Sequence, residues 1–111
     1  MNIKVEMDVF SGRPNPAWQL TSSDSEDLVK LLSQLPETDK HKEVRDDGLG
    51  YRGFILSVTG AGPAAKLPAT IRIFKGFVFM NHQAFSDIHS VEKKLIKQAD
   101  QNGYKSIIDT M

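Results

Sequence analysis

The side chains best suited to chemistry sit in one short run, Phe10-Ser11-Gly12-Arg13-Pro14-Asn15-Pro16-Ala17-Trp18. Arg13 carries a planar fork of N–H donors, Asn15 both donors and an acceptor, and Trp18 a large flat face with one N–H. Such groups grip a carboxylate, a phosphate, a sugar or a peptide turn. The two prolines restrict the unfolded chain, so a loop built on them loses less entropy when it orders. The same residues also suit a structural crossover. In that reading Pro and Gly shape the turn, Trp18 fills the core, and Arg13 braces the loop against Asp8 or a backbone carbonyl. A second run, Gly48-Leu49-Gly50-Tyr51-Arg52-Gly53, offers another arginine and aromatic, with glycines that let backbone approach a ligand or a strand closely. It lacks the Gly-Lys-Ser/Thr ending of a phosphate loop and precedes a strand pattern, so a bulged strand entry is the plainer reading. His82, between Asn81 and Gln83 just past a strand pattern, is a third polar candidate, or an ordinary turn histidine.

Other chemistries are poorly represented. With no cysteine there is no thiol nucleophile, Cys-ligated zinc or disulfide. His41, His82 and His89 have no metal-ligand spacing, and Asp46-Asp47-Gly48 lacks the ligand pattern of a calcium loop. No Gly-x-Ser-x-Gly elbow surrounds any serine. The expectation is no metal and no cofactor. Fourteen basic residues balance fourteen acidic ones, which argues against a nucleic-acid partner, whose affinity rests on uncompensated Lys/Arg–phosphate contacts. No apolar stretch is long enough for a membrane span, and the opening Met1-Asn2-Ile3-Lys4-Val5-Glu6 lacks the unbroken apolar run of a signal peptide. The expected location is cytoplasmic, with no membrane partner.

The run Asp8-Val9-Phe10-Ser11-Gly12-Arg13-Pro14-Asn15-Pro16, with Trp18 close behind, resembles a motif of small bacterial and fungal proteins of uncharacterised activity. Gly50-Tyr51-Arg52-Gly53-Phe54 is similar to a second piece of the same pattern. Together they cover about a seventh of the chain. This resemblance implies kinship and brings no mechanism with it.

The elements that must position these residues follow from periodicity. Ile3, Val5, Met7 and Val9 alternate with Lys4, Glu6 and Asp8, the pattern of a half-buried strand. Pro14 and Pro16 bar helix and central strand from the next segment, and Ala17 to Leu20 suits a short extended return. Leu28, Leu31, Leu32 and Leu35 form the apolar stripe of a helix. Thr21, Ser22 and Ser23 are candidate caps, Ser23 has capping-box spacing to Glu26, and Pro36 is the stop. Glu37 to Gly50 reads as a loop. Tyr51 to Thr59 reads as a strand, and Ala69–Phe74 with Phe77–Asn81 as a hairpin turning at Lys75-Gly76. A last helix spans Asp87 to Asn102, with Ile88, Val91, Leu95 and Ala99 inward and Gly103 at its C-terminal stop. Ile107 and Ile108 suit a short final element. The 111 residues therefore predict a single domain over 1–111, an α+β two-layer sandwich with a mainly antiparallel sheet of about four strands and two helices.

If the first strand pairs antiparallel with the Tyr51–Thr59 strand, the Ser11–Trp18 and Gly48–Gly53 loops share one end of the sheet. Arg13 and Arg52 would then repel unless Asp8, Asp47 or a bound anion lay between them. The function expected is a non-enzymatic binding or protein-interaction domain with these two loops as its contact surface. Arg13, Asn15, Trp18, Tyr51, Arg52 and His82 are the expected ligand-binding residues. The partner would be a protein or a small polar or anionic ligand. One alternative is a small hydrolase or toxin-like enzyme using Arg13 and His82, perhaps with Asp8, around an anionic intermediate. Another is an immunity or structural partner protein using the charged stretch from Glu37 to Asp47.

Overall fold

The computed structural model describes residues 2–9, 14–38, 52–60, 67–80, 83–87 and 89–108, the side chain of Ile108 excepted. Among them the order is β1 (Asn2–Met7), β2 (Ala17–Gln19), α1 (Ser22–Ser33), β3 (Glu37–Thr38), β4 (Phe54–Thr59), β5 (Thr70–Phe74), β6 (Phe77–Met80), β7 (Gln83–Ser86), α2 (Val91–Gln101) and α3 (Lys105–Ile108). The strands form one antiparallel sheet in the order β2-β1-β4-β5-β6-β7-β3. The α+β class stands, but seven strands and three helices replace the expected four and two. The additions are short and follow from pairing rather than composition. Glu37-Thr38 lies in the stretch read as loop and becomes a strand because β7 supplies its hydrogen bonds. Gln83–Ser86 carries a single large apolar residue, Phe85, too little for an alternation to register.

Strand alternation builds the core. Ile3, Val5 and Met7 on β1 share a face with Val58, Leu56 and Phe54 on β4, and the rows continue through Ile71 and Ile73 to Val78. These residues are buried, in one cluster with Leu28, Leu32 and Leu35 near α1 and Val91, Leu95 and Ala99 of α2. Leu31, expected on the same stripe, is only half-buried at the cluster's margin. The helices therefore cover one face of the sheet.

Local chemistry sets the helix ends. Thr21 is the N-cap of α1: its hydroxyl accepts the Asp24 N–H at 3.1 Å, so Ser23 and Glu26 do not form the expected box. At the start of α2 the Asp87 carboxylate accepts from the Val91 and Glu92 N–H groups at 2.7 and 3.0 Å, which moves the helix start beyond the sequence reading. Its far end closes as anticipated. Gly103 has φ +91°, its N–H donates to the Asp100 carbonyl, and the Tyr104 N–H reaches back to the Ala99 carbonyl. The hairpin also turns where expected, with Lys75 and Gly76 both at positive φ and Ile73 opposite Val78. No helix among the described residues is long and apolar enough to cross a membrane.

Candidate functional site

The expected junction at the end of β1 is built around Asp8. Beyond the last β1–β4 pair, Met7 with Phe54, the backbones keep exchanging bonds. The Asp8 N–H donates to the Gly53 carbonyl at 2.9 Å and the Arg52 N–H to the Asp8 carbonyl at 2.7 Å. Gly53 permits this. Its φ is +91°, and a Cβ there would sit 2.1 Å from the Ile73 carbonyl oxygen. The backbone thus fixes Asp8 and Arg52 side by side before their side chains interact.

The Asp8 carboxylate, 11% exposed, then gathers three side chains. Arg52 donates through Nη2 to Oδ1 at 2.9 Å, Arg72 through Nη2 to Oδ2 at 3.1 Å, and Asn15 through Nδ2 to Oδ1 at 3.4 Å. Arg72 Nη2 also donates to the Arg52 carbonyl at 3.0 Å. Asn15 is the clasp of the returning chain. Its Oδ1 accepts the Val9 N–H at 3.0 Å, while Nδ2 donates to Glu6 Oε2 at 2.9 Å. One residue on, the Pro16 carbonyl accepts the Met7 N–H, which leads the chain into β2 beside β1. The register explains why Arg72 arrives. Glu6 pairs with Ile55 and Ile55 with Arg72, so the three form one row on the face opposite the core.

The sequence-expected residues divide. Asn15 and Arg52 meet at Asp8, so the described ends of the two loops do share one end of the sheet. Arg52 has the internal carboxylate partner that makes its role there structural. Trp18 is turned to the core side: its Nε1–H donates to Gln98 Oε1 at 3.1 Å, and its ring stacks on Tyr104 and meets Phe54 edge-on. It fastens β2 to α2. Arg13, Tyr51 and His82 lie outside the described residues, as do Asp47 and most of the Glu37–Asp47 stretch. Arg72 and Glu6 went unnoticed at the sequence level. A signal existed for Arg72, a lone charge between Ile71 and Ile73 in an apolar strand, which calls for a partner on the opposite face.

Beside Arg72 on that face lies an aromatic group. Phe79 pairs with Arg72 and Phe77 with Phe74, the Phe77 and Phe79 rings are 6.2 Å apart, and Lys75 Nζ lies 5.1 Å from the Phe74 ring centroid. Phe74 is buried while Phe77 and Phe79 are half-buried. The Phe side of the hairpin is thus largely removed from water. Among the described residues no cluster of three or more His, Cys, Asp or Glu suits a metal ion. No protein-family model, curated protein or solved structure matches the chain.

Proposed function

We propose that this protein is a small non-enzymatic binding domain that takes an oxyanion, the carboxylate or phosphate group of its partner, at the rim of the Asp8 junction. The observation that carries the reading is the state of Arg72. Its side chain is 39% exposed, and both of its hydrogen bonds leave from Nη2. Nη1 and Nε make none among the described residues. A guanidinium held at one corner by a carboxylate and a carbonyl has lost its rotamer freedom before a ligand arrives, and its outer edge still offers two donors. Phe79, half-buried in the same row, adds an apolar contact.

The test is an amide NMR titration with inorganic phosphate and, separately, with a short glutamate-rich peptide. Expected are saturable shifts at Asp8, Gly53 and Arg72 that vanish in Arg72→Ala. That variant should lose only about 1 kcal/mol of stability, since Asp8 keeps Arg52. Shifts that persist unchanged in Arg72→Ala, or none in the parent with either probe, would sink the reading.

A further inference from the structure

Apart from the Asp8 junction, residues of α1 and α2 line a cleft of about 280 Å³. Its apolar floor is Leu28, Leu31 and Leu95. The α1 rim carries Asp24 and Asp27, and the α2 rim carries Lys94 and Lys97. All four charged residues are exposed, and none has an ion-pair partner among the described residues. We propose that this cleft is a self-association surface whose occupant is a second copy of the chain.

The argument is one of symmetry and charge. When two copies face each other about a two-fold axis along the cleft, α1 of each lies on α2 of the other. Both acidic rims then meet basic rims, since an isologous contact repeats every pairing. A two-fold axis across the cleft would instead stack acid on acid and base on base, so the charges select one arrangement. Leu31, half-buried at the margin of the core, loses its remaining water contact in this arrangement. The long stems of Lys94 and Lys97 can lie over the leucine floor while their ammonium groups reach the opposing carboxylates. A formal net charge of zero leaves no overall repulsion between copies.

Sedimentation equilibrium on the full chain, from about 10 μM to about 1 mM, tests this. The mass should rise with concentration from 12.4 kDa toward twice that value, and less so at high salt. Lys94→Glu/Lys97→Glu and Asp24→Lys/Asp27→Lys should each remain monomeric. An equimolar mixture of the two should dimerise again, because one acidic–basic rim contact is intact and the other is restored with its charges exchanged. That recovery also shows both variants to be folded. A parent chain that stays at 12.4 kDa throughout, charge-reversed variants that associate like the parent, or a mixture that stays monomeric would each overturn the proposal.

Discussion

The Asp8 junction and the α1–α2 cleft hold the same formal charges in opposite arrangements. Glu6, Asp8, Arg52 and Arg72 supply two carboxylates and two cations to the first, and Asp24, Asp27, Lys94 and Lys97 supply the same to the second. At the junction the Asp8 carboxylate lies 2.9 Å from the Arg52 guanidinium and 3.1 Å from that of Arg72, and Glu6 accepts from the Asn15 amide. Across the cleft they stand apart. The difference lies in what holds the groups before they meet. Asp8 has a short side chain on backbone already bonded to Arg52 and Gly53, so pairing costs little additional entropy. Lys94 and Lys97 are exposed on long stems, and an exposed pair within one chain returns only about 0–1 kcal/mol, too little to pull the two rims of that chain together. Charges satisfied internally stabilise the fold. Those left on a helix rim remain for a partner.

The most severe way to break the junction is through its backbone. Gly53→Ala puts a Cβ against the Ile73 carbonyl oxygen at a φ of +91°, so strain and overpacking add. The expected loss is about 4 kcal/mol, read as a fall in the urea midpoint; a midpoint near the parent's would mean that the β4 entry relaxes freely.

Removing the carboxylate comes next. Asp8→Ala leaves Arg52 and Arg72 facing each other without their shared anion, at a cost of about 3 kcal/mol. Arg52→Leu in the same background should recover part of that loss by removing the repulsion. If the double variant is no more stable than Asp8→Ala, the two arginines do not oppose each other there.

The smallest effect sharpens the other half of the comparison. Leu95, 1% exposed, should lose about 2–5 kcal/mol on truncation to alanine. Leu31→Ala, on the half-buried margin of the cleft, should lose only about 1 kcal/mol in the monomer. Equal losses in chemical denaturation would show that Leu31 belongs to the core after all.

Several parts of this molecule are readable without coordinates, for a local reason. The alternation of Ile3, Val5 and Met7, the Lys75-Gly76 turn and the Gly103 stop depend on steric rules acting over a few residues, and each acts where its residues stand. Even the meeting of Asn15 with Arg52 follows once β1 and β4 are paired antiparallel. Tertiary structure alone decided the rest. Glu37-Thr38 is a strand only because β7 runs beside it, and Arg72 reaches Asp8 across 64 positions only because β1, β4 and β5 pair in one register. Leu31 shares the spacing of Leu28 and Leu32, yet it lies half-exposed because a helix stripe can be wider than the surface it covers. Hydrogen bonds between distant strands and the separation of two helices depend on pairwise geometry, which no local pattern encodes. For that reason two carboxylates and two cations became a closed junction in one place and an open cleft in another.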